Sequence, residues 1–273
     1  MAQDSDITVH KIATIVSLGL SIYGNVRYLT GRSPYDKHSP FHVSDNPFTS
    51  NIISILLYWG FLYFLQILFV VQIFLPNLHD YSTRANLTRL VGWHFTIFNT
   101  LSFIWSMLFA TKHFFWSEVI LILNMFNIWA VYLNHKTYKI RPLSNWILIH
   151  LPVTAFPLSW LLYAVFWNGA VLFNVHKFVG RVISNVLIWD FLIVPGFYLV
   201  VYNDWGVGIS SAWITFAIGL GQFFTKIFAL QWIFAFTISG ILLLASGFTA
   251  LTGSMGFTVI EVEEVETAPL LQA

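Results

Sequence analysis

The segment from Ile52 to Phe74, IISILLYWGFLYFLQILFVVQIF, contains no charged residue and no proline. A helix needs about 20 mainly apolar residues to cross a hydrocarbon core roughly 30 Å thick, and this stretch supplies them without a break. It is apolar all the way round, with no face of charged side chains to turn towards water. Its reading is a transmembrane helix.

Similar runs lie on both sides of it. One precedes it, Ile12 to Tyr28. Six follow: Leu90 to Ala110, Phe114 to Leu133, Ser144 to Trp167, Ile183 to Tyr202, Val207 to Phe224 and Ile227 to Leu251. Turn chemistry separates them at Gly31-Arg32-Ser33-Pro34, Pro76-Asn77, Arg141-Pro142 and Asn203-Asp204. The expected fold is all-α, a polytopic bundle of seven to eight transmembrane helices. The count turns on a break near Gly219, Gly221 and Lys226, because the apolar residues from Val207 to Leu251 are too many for one crossing.

Composition agrees. The 273 residues are 57% hydrophobic, 18% aromatic and only 9% charged, with a mean hydropathy of +0.73. A soluble domain uses about 25% charged residues to cover its surface, so lipid is the expected solvent. A net charge of +1 argues against a nucleic-acid partner, which calls for a basic face. With no cysteine, disulfides, thiolate metal sites and thiol nucleophiles are excluded. Only Lys11 precedes the core of the first run and no small-residue cleavage pattern follows it, so that run reads as a retained helix.

With eight crossings, Lys11, Arg84, Arg89, Lys136, Lys139 and Arg141 share one side. Arg27, Arg32, Lys37, Lys112, Lys177, Arg181 and Lys226 share the other, a balance that sets no orientation. Residues 1–253 read as one transmembrane domain and residues 254–273 as an acidic, disordered tail, Glu261-Val262-Glu263-Glu264-Val265-Glu266. Within it, Glu266, Leu270 and Leu271 resemble an acidic dileucine sorting signal, which points to an endosomal or vacuolar membrane. The sequon Asn86-Leu87-Thr88 lies too near a helix start for ready glycosylation.

Ionisable groups within spans are expensive and mark candidate pathways. Asp190 lies inside the sixth run as a candidate for a polar pathway, or as a partner of Arg181. Glu118 lies near the start of the fourth, and His94 and His150 sit near helix ends as packing residues. No His pair at helical spacing supports a metal site. Lys226 invites a Schiff-base reading, but it falls at the expected turn without an acidic neighbour. Asn99, Asn124, Asn127 and Asn168 are suited to bridging helices. Trp59, Trp105 and Trp160 lie deeper than an interfacial anchor should, and could line an apolar cavity.

Several of these residues form an ordered set. Trp105-Ser106-Met107-Leu108-Phe109 resembles the W-S-x-L-F stretch of the translocator protein (TspO/MBR) family, the tryptophan-rich sensory proteins. Trp160, Ala164 and Asn168 reproduce its W-x3-A-x3-N spacing after Pro152, Trp59 and Tyr63 match its W-x3-Y, and Asn46-Pro47-Phe48-Thr49 is similar to its N-x-F-T entry. The chain differs in carrying Ser102 where the family has asparagine, with Asn99 one turn earlier, Ser50 where it has proline, and two or three further spans. The resemblance implies a five-helix core around an aromatic-lined pocket that takes a tetrapyrrole, a sterol or another flat hydrophobic molecule. Trp59, Tyr63, Asn99, Trp105, Trp160, Ala164 and Asn168 would line it.

Two readings of function differ in kind. One is a membrane protein that binds or transports a hydrophobic ligand. The other is a non-catalytic scaffold or accessory subunit whose aromatic helices pack against a partner, another copy of the chain included. An enzyme is a third reading, and would need Asp190 or Glu118 beside a histidine.

Overall fold

The computed structural model describes residues 2–30, 46–74, 81–175, 178–225 and 230–255, and every regular element among them is helical. Helix α1 (Ala2–Gly24) runs on into a π-helical turn, Asn25–Thr30. It is followed by α2 (Ile52–Phe74), α3 (Tyr81–Ala110) and α4 (Phe114–His135). A single 3-10 turn, Thr137–Lys139, leads to α5, which spans Leu143–Leu172. Then come α6 (Phe178–Leu187), α7 (Asp190–Tyr202), α8 (Trp205–Thr225) and α9 (Gln231–Thr252).

Among the described residues, six stretches are long and apolar enough to cross a membrane: Ile52–Gln72, Phe114–His135, Leu143–Leu172, Val179–Tyr202, Trp205–Phe224 and Gln231–Thr252. Together with the composition, they are the features of an integral membrane protein. The expected break before α9 is present, as α8 ends at Thr225 and α9 starts at Gln231. Lys226 itself lies outside the described residues, as do the acidic stretch and the dileucine pattern. The sequon falls within α3.

Helix α5 is the most buried of the six spans. It packs against α2, α4 and α8, while α3 lies against α1 and α4, and α8 against α9. Its first half, over Trp146–Ala155, is π-helical and contains Pro152. A proline without an amide proton cannot complete the regular ladder, so a widened turn is the local solution. Polar side chains then tie neighbouring helices to this loosened backbone: Gln66 Nε2 reaches Pro152 O at 3.4 Å and Gln72 Nε2 reaches Leu148 O at 3.3 Å. The sixth apolar run is broken at Ile188–Trp189, so that Asp190 opens α7 half-buried instead of lying mid-helix. A carboxylate is favourable at that position, next to a helix amino terminus.

Before α2 the chain is not helical at Asn46–Asn51, yet Asn46 and Phe48 are buried. Irregular backbone is tolerated at such depth only when protein satisfies it. Here α8 does so. Asn51 N donates to Ala217 O at 2.8 Å, and Gln222 Nε2 donates to Asn46 O at 3.0 Å and Thr49 O at 3.1 Å. Gly221 permits the approach, since a Cβ there would lie 2.5 Å from Thr49 O.

Candidate functional site

Three helical faces and this entry segment enclose a cavity of about 270 Å³. Helix α5 contributes Trp160, Tyr163 and Trp167, which share one face by their spacing of three and four residues. Helix α2 contributes Trp59, Gly60, Tyr63 and the apolar Ile52, Ile55 and Leu56. The π turn after α1 adds Asn25 and Val26, and the entry segment adds Thr49 and Ser50. Val26, Ile52 and Leu56 are exposed, so the cavity opens sideways between the first two helices.

Its inner wall is aromatic. Trp59 meets Trp160 edge-on with centroids 4.8 Å apart, and Tyr63 lies 5.1 Å from Trp59. Tyr163 and Trp167 are parallel within 8°. The tyrosine hydroxyls are already engaged, Tyr163 with Ser50 Oγ at 2.8 Å and Tyr63 with Ser21 and Asn25. The Trp59 indole N–H is buried and has no hydrogen-bond partner among the described residues. Such a donor costs free energy unless something accepts from it.

Of the residues expected to form a pocket, Trp59, Tyr63 and Trp160 line this cavity, and Asn99, Trp105, Ala164 and Asn168 do not. Trp105 stands behind Trp160 at 6.0 Å and is buried, as is Ala164. Asn168 is occupied by protein. Its Oδ1 accepts from Ser117 Oγ at 2.6 Å and from Trp105 Nε1 at 3.4 Å, and its Nδ2 donates to Glu118 Oε2 at 2.7 Å and Phe114 O at 3.1 Å. It joins α3, α4 and α5. Asn99 Nδ2 bonds its own helix at Phe95 O, 3.1 Å away. Asp190 lines neither this cavity nor the second one described below. The residues that sequence reasoning passed over are Tyr163, Trp167, Asn25, Ser50 and Gly60. The first two follow Trp160 at positions i+3 and i+7, a visible signal for a shared face.

A second polar centre lies near the other end of α5. Asp204 and His150 are fully buried, with His150 Nε2 and Asp204 Oδ2 3.0 Å apart. Tyr132 donates to the same oxygen at 2.9 Å, and Asp204 Oδ1 accepts from the amides of Gly206 and Val207 at 3.1 and 3.2 Å. His150 Nδ1 pairs with Thr137 Oγ1 at 2.9 Å, and Thr137 with Thr154 at 3.0 Å. Asp204 therefore caps α8 and joins it to α4 and α5. An aspartate just before an apolar run is a helix-start signal, and it was legible at Asn203-Asp204. Among the described residues, no three His, Asp or Glu side chains converge on a point where a metal could sit.

Comparison with known proteins reaches the C-terminal third. Residues 181–271 match the family described as a fungal protein of unknown function (DUF1774). An uncharacterized protein of Schizosaccharomyces pombe is 40% identical over 93 residues, 34% of this chain and 34% of that protein. The chain thus matches about a third of the length of that curated relative. No solved structure matches. The resemblance to the translocator family is corrected by these matches, which name the fungal family and no translocator relative. The physical reason is that tryptophan, asparagine and small residues repeated every fourth position are what any tightly packed membrane helix presents to its neighbours. The implied five-helix core and tetrapyrrole ligand rested on that resemblance and go with it.

Proposed function

We propose that this chain crosses the bilayer eight times, α6 and α7 forming one crossing, and binds a hydrophobic molecule that enters from the lipid. The observation that carries the reading is a cavity walled by five aromatic residues, one of them Trp59 with its buried indole N–H unpartnered among the described residues, and open beside Val26, Ile52 and Leu56. Binding sites are characteristically apolar with a few placed polar groups. This one offers five aromatic rings, and the Trp59 ring carries an unpartnered N–H. Its volume of about 270 Å³ accommodates a narrow apolar chain carrying one acceptor, such as an ester or ketone oxygen. The lateral mouth supports lipid-phase entry.

Gly60 provides the test. It lines the cavity, and a Cβ built on it meets nothing within 4 Å, so Gly60→Leu starts from open space and adds bulk at the cavity wall. The protein in nanodiscs would be irradiated with a diazirine-bearing fatty acyl ester and the adducts mapped by mass spectrometry. Saturable labelling of residues 52–63 and 160–167, lost in Gly60→Leu and kept in Gly240→Leu, is the expected result. Gly240 is a suitable control because it too has open space at its Cβ and lines neither cavity. Labelling spread over all lipid-facing helices and indifferent to Gly60→Leu would overturn the proposal.

A further inference from the structure

At the opposite end of α5 lies a second, larger cavity of about 850 Å³, where α4, α5, α7, α8 and α9 begin or end. Trp146 lines it and Trp167 lines the first. At 1.5 Å per residue these two positions are separated by roughly 30 Å, one hydrocarbon thickness. With α5 crossing the bilayer as proposed, the second cavity sits at the level where lipid headgroups meet the opposite membrane face.

Its lining has a definite chemistry. Arg141 and Lys139 are both exposed there, and among the described residues no carboxylate lines it. The nearest acid along the chain, Asp204, is turned away. Both its oxygens are filled by Tyr132, His150 and the amides of Gly206 and Val207, and its side chain exposes no surface. Among the described residues nothing offsets the charge of Arg141, whose guanidinium has no hydrogen bond or ion pair there. Around it stand rings with polar edges: Tyr138 beside Tyr202 at 4.8 Å and Trp146 beside Trp205 at 4.3 Å. Asn203, Thr249 and Ser254 complete the polar part.

A simpler account gives the two basic residues only the task of offsetting the carboxyl ends of α7 and α9, at roughly 0.3–1 kcal/mol each. That task needs no cavity, and it leaves the donor fork of Arg141 unused. A guanidinium presents parallel N–H groups that match two oxygens of one phosphate. Tyrosine and tryptophan are the residues that settle at the headgroup level.

We propose that this cavity binds a phosphate-bearing anion, with Arg141 as its principal ligand and the Tyr138–Tyr202 and Trp146–Trp205 pairs as walls. The same chemistry is offered by an anionic phospholipid headgroup and by a soluble phosphate ester.

The test uses the full chain in nanodiscs of phosphatidylcholine with or without phosphatidic acid, read by native mass spectrometry of retained lipid. A parallel arm adds glycerol 3-phosphate in detergent and follows the melting temperature. Preferential retention of phosphatidic acid, weakened about tenfold in Arg141→Gln as expected for losing a charge-assisted bond and only partly restored in Arg141→Lys, supports a lipid source. A melting-temperature rise with glycerol 3-phosphate that Arg141→Gln abolishes supports a soluble one. Lys112→Gln, on the far side of the bundle, should leave both readouts unchanged. Responses equal in wild type and Arg141→Gln would overturn the proposal. So would a response that appears only after Glu261, Glu263, Glu264 and Glu266 are replaced by Gln, because the acidic stretch would then be the occupant.

Discussion

His150 Nε2 lies 3.0 Å from Asp204 Oδ2, and neither side chain exposes any surface. The contact joins the π-helical stretch of α5 to the cap of α8, and Tyr132 brings α4 to the same oxygen. Three helices thus share one carboxylate oxygen in a region where water is scarce. Removing the carboxylate strands an imidazole and a phenol and also uncaps α8. Asp204→Ala should therefore cost about 3–5 kcal/mol, the range for breaking a buried pair. Asp204→Asn keeps an oxygen for the cap and should fall between the two. Equilibrium unfolding in mixed micelles checks the order, and equal stability of all three proteins would refute this role for the pair.

Asn168 makes the other multi-helix junction, with Ser117, Trp105, Glu118 and Phe114 as partners. Interhelical hydrogen bonds in bilayers average about 0.6 kcal/mol each and reach about 1.7. Asn168→Leu should then lose about 2–3 kcal/mol by the same unfolding measurement. It should leave labelling of the Trp59 cavity intact, because Asn168 does not line it.

Gly221→Ala places a methyl group 2.5 Å from Thr49 O, a backbone atom that cannot swing aside. The expected cost is about 1–3 kcal/mol, as for other overpacked sites. Because Thr49 and Ser50 wall the first cavity, acyl-ester labelling should fall as well. Gly247→Ala, where a Cβ meets nothing within 4 Å, should be neutral or stabilising by up to about 1 kcal/mol. A Gly221→Ala protein as stable as Gly247→Ala would show that the close approach at Thr49 carries no cost.

Trp59→Phe retains an aromatic wall and removes the unpartnered N–H. The protein should be as stable as wild type or slightly more so, since a buried orphan donor is gone. Affinity for an ester-bearing acyl probe should fall by up to about tenfold, the worth of one hydrogen bond. Competition by a plain alkane of equal length should not change. Loss of both in equal measure would mean that the indole contributes only shape.

The spans were legible because crossing lipid imposes a long apolar stretch on the chain, and the run from Ile52 to Phe74 satisfies that demand without help from any other residue. The breaks at Arg141-Pro142 and Asn203-Asp204 were legible for a related reason, since turn chemistry is local. Trp59 and Trp160 stood out by their depth in an apolar run, and they do meet. Family membership was misread from the same residues, because spacing on one helix face reports packing before ancestry.

The sequence by itself determined a multi-helix membrane chain, where most of its helices begin and end, and the position of deep tryptophans, all properties set by a residue and its near neighbours. Only the tertiary structure decided what those residues became. It folded the entry segment against Gly221 so that Thr49 and Ser50 could wall a cavity. It saturated Asn168 with protein partners while leaving the Trp59 N–H unpartnered. It turned Asp204 inward to His150, while Arg141 stands exposed in an open cavity. The physical reason is that hydrophobicity acts on each segment alone, whereas a hydrogen bond or an ion pair exists only once two distant segments have been brought to within about 3 Å.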